Sequence, residues 1–586
     1  MAEVEEPAVA ADNGSAAVEE VKPYRIHVSS KYLNLTRQKL EIARLPHEFD
    51  EPKSKDSWQP KSQVEPLIDF WLEQYRWRDQ EEILNSLPQF RTGFAVPDSK
   101  TPVRIQFIHA RSPRAGAVPL LLIPPFPFSS LSLGHLVGPL AEPDEANHQP
   151  FHLVVPSLPG LGFSDALPAD APVVAATADL LDALMGRLGY AAYLVTNASA
   201  GSLSPAQIDY KLADRLLTHR PGSCLGAHLI SPPLTRPRLQ EAPLGWAKWS
   251  LARILKASVL GYRSEDLSAM RQSVRHVESS DTAAAAAAGS GAGLGGLTEP
   301  NTLAYALCDS PTGLLVLVLR GLRLLAPRKE FAPAEIINFT QLAWLPGPEA
   351  ALRFWAHCAR HPESEKTAGR ARTRRPAKRP RVALTVFLGD EQQQAEQREQ
   401  RAADAPYSCP AWATTRYEVV HAHRAAGNPG LLAWERPELV AAGVRGLAAA
   451  VLKVDKRLQP SPETSAPVVV AAGSGGAKTT TTMTTAPAAP SAPNEEEQEG
   501  EPRKPSSPGP SEPQPGLLAP PKTGERSALE REVSDDTKVA SSESLAAKTP
   551  SPVPATPSPV PAEHTPAVVA AEGNKGGEPR SSVSGT

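Results

Sequence analysis

Three short apolar runs lie between residues 119 and 195. They are Pro119 to Ile123, Phe151 to Val155 and Ala192 to Val195. Runs of this length, bounded by turn residues, are typical of strands buried on both faces of a sheet. Between the second and third runs, apolar residues recur at helical spacing from Ala176 to Leu188, and Gly189 follows. The pattern therefore predicts a helix that ends at this glycine.

A strand, a helix and a strand in this order predict a right-handed crossover between parallel strands. Further along, the pattern predicts strands at Val382 to Phe387 and Tyr417 to Val420, and a closing helix from Glu438 to Leu452. Residues 234–360 have a mostly helical pattern. The predicted fold class is α/β, with a mostly parallel sheet flanked by helices and interrupted by a helical insertion.

In such a sheet, ligands bind beyond the carboxyl ends of the strands, and we call this edge the rim. Four segments that follow predicted strands are expected to meet there: PPFPFS (124–129), PSLPGLGFSD (156–165), TNASAGS (196–202) and GDE (389–391). In TNASAGS, small residues flank Ser199, as around a nucleophile on a sharp turn from strand to helix. Ser199 is therefore a candidate nucleophile.

The composition indicates which segments of the chain are expected to fold. The 586 residues include 62 prolines, and only 5% of residues are aromatic. The acidic residues 1–21 and the Pro/Ser/Thr/Ala-rich residues 456–586 are expected to be disordered, because they cannot bury enough apolar surface to offset their ordering entropy. An Ala/Gly tract at 281–296 and a basic stretch at 362–380 are expected to be surface insertions.

Charge and targeting signals bear on partners and location. The net charge is −3, which gives no reason to expect a nucleic-acid partner. The basic run 369–381 is typical either of nucleic-acid binding or nuclear targeting, or of a solvated insertion, and we favour the insertion. No segment approaches the roughly 20 apolar residues of a membrane helix, and the N-terminus lacks a signal-peptide pattern. We therefore expect no membrane span and a cytoplasmic protein.

The cysteines share no metal-ligand spacing and form no disulfide framework. They are Cys224, Cys308, Cys358 and Cys409. We expect them to be buried small hydrophobic residues, and we expect neither a metal nor a cofactor.

The ordered part of the sequence resembles the microsomal-type epoxide hydrolases, which combine the α/β-hydrolase fold with an N-terminal extension. The resemblance runs from about Lys22 to Leu452 in the family's order. It rests on RLPHEF (44–49), DFWLEQYRWRDQEEILNSLPQF (69–90), IQFIHARS (105–112), PSLPGLGFSDA (156–166), TEPNTLAYALCDSPTGLL (298–315) and LLAWERPELV (431–440). The resemblance implies an extension at 22–115, a hydrolase core at 116–233 and 361–455, and a helical cap at 234–360.

The family opens epoxides to vicinal diols. The resemblance implies an aspartate that attacks the epoxide carbon, cap tyrosines that hold its oxygen, and a histidine paired with an acid that activates water to hydrolyse the ester. In this sequence Ser199 stands at the aspartate's position, and Gly430 stands at the histidine's. Asp390 stands at the acid's position, and the amides of Phe126 and Ala200 stand at the oxyanion positions.

Other residues are candidates for the missing groups. His421 and His423 follow the predicted strand RYEVV, and His423 is a possible replacement base, although histidines in a polar loop are more often solvent-facing. Trp355 or Ala356 falls where the family has a cap tyrosine, and the other cap tyrosine would lie in the Ala/Gly tract. We interpret Tyr305 as a packed core residue.

Three functions stay open. The first is an epoxide hydrolase acting on a small hydrophobic epoxide, and the second is a serine ester hydrolase that uses Ser199. The third is a non-catalytic scaffold or binding module whose tail offers sites for protein partners. Loss of a single catalytic-triad member costs several powers of ten in rate. Because several catalytic positions differ at once, we predict a divergent member whose catalysis is weakened or lost.

Overall fold

A computed structural model describes most of the first 458 residues of the chain. These are residues 20–47, 60–97, 99, 101–198, 201, 204–255, 258, 260–270, 299–360, 379–389 and 407–458. Several predictions lie outside the described residues. They concern residues 1–19, the Ala/Gly tract 281–296, most of the basic stretch 362–380, and the tail from 459 onward.

The described strands form a single mixed sheet in the order β1-β2-β3-β5-β4-β6-β7-β8-β9. They are β1 Lys22–Pro23, β2 Gln89–Phe94, β3 Val103–Ala110, β4 Val118–Ile123, β5 Phe151–Pro156, β6 Tyr193–Asn197, β7 Cys224–Ile230, β8 Arg381–Phe387 and β9 Glu418–Ala425. Strands β4 to β9 are parallel, whereas β1, β2 and β3 pair antiparallel, and β3 also pairs antiparallel with β5. The predicted α/β class with a mostly parallel sheet is confirmed.

Helices cover both faces of the sheet and form the insertion. They are α1 Ser30–Glu41, α2 Lys61–Glu73, α3 Trp77–Asn85, α4 Val137–Ala141, α5 Val173–Arg187, α6 Ile208–His219, α7 Pro243–Leu255, α8 Pro300–Asp309, α9 Pro311–Leu325, α10 Pro333–Trp344, α11 Glu349–Arg360, α12 Pro410–Ala413, α13 Leu432–Glu435 and α14 Pro437–Leu452. The helix predicted before Gly189 is α5. Gly189 follows it with a positive φ of 86°, as a glycine that ends a helix often does.

Strand β4 shows why the buried runs are apolar at every position. Leu121 and Ile123 belong to the core cluster that contains the α5 residue Leu184. Leu120 and Leu122 belong to the cluster on the other face, which contains the α14 residue Leu447. Because both faces of the strand are covered by helices, alternation between apolar and polar residues disappears.

The N-terminal extension packs against the insertion as well as the sheet. Leu67 and Trp71 of α2 share a buried cluster with Leu315 and Leu322 of α9 and with Ile337 of α10. This cluster joins the two regions that the resemblance treats as extension and cap. At the other end of the chain, the described core continues through a short turn, Lys456–Leu458, whose last residue is buried.

Two expectations for helix α8 are wrong. Tyr305 is 84% exposed, and Cys308 is exposed, whereas Cys224, Cys358 and Cys409 are buried as predicted. Helix α8 buries Ala304 and Leu307 instead. Each residue of a helix is rotated by about 100° from the one before it. Tyr305 and Cys308 come one residue after the buried Ala304 and Leu307, so they point away from the packed side.

Among the described residues, no single helix is long and apolar enough to cross a membrane. Helices α8 and α9 together meet the length and composition of a span, but they are bent by 117° where they join.

Candidate functional site

Two rim segments are fixed by a buried hydrogen-bond network centred on Gln106 of β3. Its Oε1 accepts hydrogen bonds from Ser130 Oγ at 3.0 Å and from Ser157 Oγ at 2.6 Å. Its Nε2 donates to Gln89 Oε1, and its backbone N–H donates to Ser164 Oγ. All five residues are buried. The extension therefore holds the loops after β4 and β5 in one arrangement at the rim.

The described residues that flank Ser199 and Ala200 are closely packed. The Ala198 amide donates to Ile123 O at 3.3 Å, and Asn197 Oδ1 accepts from the Ile230 amide at 3.2 Å. Gly201 has a φ of +63°, and a Cβ there would lie 2.6 Å from Ser231 Cβ. Any side chain at 201 would therefore collide with the end of β7.

Ser199 and Ala200 lie outside the described residues, and their roles as nucleophile and oxyanion donor stay predictions. The described residues on either side of them, Ala198 and Gly201, lie close to the ends of β4 and β7. The sequence pattern of small residues thus agrees with the close approach that the structure shows at Gly201.

Aromatic side chains of the insertion lie directly over the predicted oxyanion loop. Phe126 is 1% exposed, and its peptide bond to Pro127 is cis. The Phe126 ring stacks on Phe354 of α11 with centroids 5.9 Å apart, and Trp355 meets it edge-on at 6.3 Å. Trp355, expected at a cap-tyrosine position, therefore packs against apolar rings.

Gly430 lies in the loop after β9 and is buried. A Cβ on Gly430 would overlap the Glu435 carboxylate and would lie 2.7 Å from its Cδ. The Glu435 side chain is 1% exposed, and its Oε1 accepts from the Arg328 amide at 2.9 Å. A carboxylate thus occupies the place where the side chain of residue 430 would begin. The sequence showed that residue 430 has no side chain, but it did not show that the Glu435 carboxylate fills the space beside it.

The described segment that precedes the predicted acid lies next to this loop. Asp390 itself lies outside the described residues, so its role stays a prediction. The preceding Gly389 donates its amide to Gly427 O at 3.0 Å, which joins the loops after β8 and β9 by backbone. This pairing brings the segment that leads into Asp390 beside the segment that leads to Gly430.

His421 and His423 do not lie in a loop, and this expectation is wrong. Strand β9 continues to Ala425, with His421 paired to Ala383 and His423 to Thr385 of β8. The His421 ring lies where a Cβ on Gly446 of α14 would be, so it faces that helix. Strand alternation puts His423 on the same face. The candidate replacement base therefore lies on the face of the sheet that α14 covers.

A buried polar row runs across this face. His228 of β7 hydrogen bonds through Nδ1 to Thr196 Oγ1 and through Nε2 to Thr385 Oγ1, both at 2.9 Å. Burial, and then the nearby His421 and His423, lower the pKa of His228 to about 3. His228 is thus neutral near pH 7. Within the described ranges, no group of three or more His, Cys, Asp or Glu side chains forms a candidate metal site.

An ion pair that the sequence did not predict joins the insertion to β9. Arg424 Nε donates to Asp266 Oδ1 at 2.7 Å, and both side chains are buried. The Tyr407 hydroxyl also donates to Asp266. Burial acts to raise the pKa of Asp266, but hydrogen bonds from Arg424 and Tyr407 outweigh it and lower the pKa. The partners are 158 residues apart, so no local pattern could have indicated the pair.

The chain is similar in sequence to known epoxide hydrolases. The sequence model of the family described as Epoxide hydrolase N terminus matches residues 21–133. Juvenile hormone epoxide hydrolase 1 of Ctenocephalides felis is 26% identical over 311 residues, which cover 51% of this chain and 59% of that protein. Epoxide hydrolase 1 of Sus scrofa is 25% identical over 363 residues, which cover 57% of this chain and 71% of that protein.

Among solved structures, the fold is similar to that of Aspergillus niger epoxide hydrolase. The TM-score is 0.55 at 20% identity, over 75% of this chain and 98% of that one. This likeness supports the fold alone. The chain spans about three fifths of the length of several curated relatives that it matches.

Proposed function

Since this chain is a divergent member of the epoxide hydrolase family with the α/β-hydrolase fold, we propose that it has lost the family's reaction and serves as a non-catalytic binding module. The tail, residues 456–586, offers the sites for protein partners. The proposal rests on what occupies the catalytic positions, since the fold itself hosts many chemistries.

The observation that carries the proposal is the arrangement at Gly430. Hydrolysis of a covalent ester intermediate needs a base that removes a proton from water. Glycine supplies no such group, and the Glu435 carboxylate fills the space against it. Glu435 is also engaged with the Arg328 amide. The position is therefore closed to an imidazole in the present arrangement of side chains.

Two further features agree with the loss of activity. Ser199 stands at the nucleophile's position, and a serine hydroxyl needs a base where a carboxylate does not. Beside the predicted oxyanion residue, Phe354 and Trp355 pack on the Phe126 ring, so Trp355 makes an apolar contact and supplies no phenolic hydroxyl for an epoxide oxygen. Both features argue against a hydrolytic active site at the rim.

Incubation of the full-length protein with styrene oxide and with 4-nitrophenyl acetate tests the proposal. We expect diol and nitrophenol to form no faster than in buffer, and the Ser199→Ala variant to behave as the unmodified protein does. Diol formation abolished by Ser199→Ala would establish an epoxide hydrolase instead. Ester cleavage alone, sensitive to the same substitution, would establish a serine ester hydrolase. Circular dichroism of both proteins verifies that they are folded.

A further inference from the structure

Helix α7 turns an apolar face toward solvent. Leu244 is 79% exposed, Ile254 is 72% exposed, and Ala247 and Leu251 are also exposed. These residues are spaced by three and four positions, so they form a continuous stripe along one side of the helix. Ala252, on the other side of the helix, is fully buried. The helix is therefore amphipathic, with its apolar stripe facing outward.

The stripe continues beyond the helix. Leu239 lies before α7 and Leu260 lies after it, and both are about half exposed. Leu255, at the end of α7, is exposed as well. Soluble monomers rarely expose contiguous apolar surface of this extent unless it contacts a partner or a membrane.

Basic residues lie near the stripe. Lys248 borders it, about 40° from Leu244 around the helix, and Arg253, farther around the helix, is stacked over the Trp249 ring at 4.8 Å. Between residues 236 and 265, the exposed basic residues outnumber the exposed acidic ones. The basic residues are Arg236, Arg238, Lys248, Arg253 and Arg263, and the acidic ones are Glu241 and Glu265. The surface around the stripe is therefore positively charged.

We propose that the apolar stripe of α7 and its basic flanks form a docking surface for an anionic lipid bilayer. A helix of this kind lies in the plane of the interface, with Leu and Ile side chains among the acyl chains and Lys and Arg at the anionic headgroups. Trp246, which is 38% exposed on the flank, has the amphipathic ring that is enriched at that depth. The docking is peripheral and requires no membrane-spanning helix.

Charge favours a membrane over a second copy of this chain. In a two-fold symmetric dimer built on the stripe, both copies would bring the same basic flanks to one interface. Like charges juxtaposed in an interface oppose association. An anionic surface instead attracts the basic side chains beside the stripe.

Flotation of the full-length protein with vesicles tests the proposal. One vesicle preparation is phosphatidylcholine alone, and the other contains about one third phosphatidylserine. We expect binding mainly to the second, weakened roughly tenfold or more by Ile254→Glu. Lys248→Glu should weaken it at least about fivefold, since each basic side chain near an anionic surface contributes about that factor. Added salt should weaken binding further.

Ile42→Glu is the matched control. Ile42 lies at the end of α1, away from the stripe, and is 76% exposed, close to the value for Ile254. This variant should float as the unmodified protein does, and thermal unfolding should show all three variants folded. Equal flotation of Ile42→Glu and Ile254→Glu, or no flotation at all, would overturn the proposal. A concentration-dependent dimer in light scattering that Ile254→Glu abolishes would assign the stripe to self-association instead.

Discussion

The rim contains two glycine loops that are constrained in different ways. In the loop after β5, Gly160 and Gly162 have φ values of +78° and +52°, where other residues are strained. A Cβ on Gly160 would lie 2.8 Å from Ala350 Cβ of α11. In the loop after β9, Gly430 has no left-handed φ. The atoms that a Cβ on Gly430 would overlap belong to the end of the Glu435 side chain.

The difference separates two kinds of constraint. At Gly160 both the left-handed backbone and the contact with α11 exclude a side chain, so the fold requires glycine there. At Gly430 the backbone would accept any residue, and only one flexible side chain excludes it. The loop after β5 therefore requires glycine for the fold, whereas in the loop after β9 a second substitution at Glu435 would make room for a side chain at 430.

The largest effect is expected at Gly160. Gly160→Ala should lower the free energy of unfolding by roughly 2–4 kcal/mol, because a left-handed alanine and an overpacked contact each cost on the order of 1–2 kcal/mol. Chemical denaturation followed by circular dichroism measures the change. Adding Ala350→Gly removes the 2.8 Å contact but leaves the φ and a 3.3 Å approach to the backbone carbonyl carbon of residue 350, so the double variant should recover only part of the loss. Full recovery would show that space alone, as at Gly430, determines the residue.

The contrast also shows what the sequence could predict. Apolar runs such as Phe151 to Val155 predicted the central strands, because burial on both faces requires apolar residues throughout. Strand β9 was predicted only as far as Val420, since His421 and His423 interrupt the apolar pattern. The space for His421 comes from Gly446 of α14, a tertiary contact between distant segments.

At the site, the resemblance to the family predicted which side chains are absent, but it did not predict which groups fill their space. Gly430 was recognised from the LLAWERPELV motif, five residues before Glu435. Nothing in that spacing indicated that the Glu435 carboxylate folds back against Gly430. Tyr305 was misplaced for a similar reason, because the helical pattern does not reveal which side of α8 packs inward.

A smaller effect is expected at Gly430. Gly430→His should lower the free energy of unfolding by roughly 1–3 kcal/mol, because the imidazole must displace a buried carboxylate. Gly430→His with Glu435→Ala should recover at least about 1 kcal/mol relative to the sum of the single variants, as expected for two side chains that compete for one space. A denaturant double-mutant cycle measures this coupling.

The control for the cycle pairs Gly430→His with Glu438→Ala. Glu438 is close in sequence, but its side chain is 66% exposed, and we expect its effect to be additive with that of Gly430→His. Additive behaviour with Glu435→Ala as well would mean that Glu435 does not restrict residue 430. The constraint that distinguishes Gly430 from Gly160 would then be refuted.

The smallest effect, opposite in sign, is expected at Gly321 of α9. The carbonyl of Leu325 at the end of this helix accepts the Leu431 amide at 2.7 Å, so α9 holds the loop after β9. A Cβ on Gly321 would meet nothing within 4 Å. Gly321→Ala should therefore raise the free energy of unfolding by about 0.5–1 kcal/mol through helix propensity. A loss of stability instead would show that glycines beside this loop are constrained by more than space, and the distinction between Gly160 and Gly430 would fail.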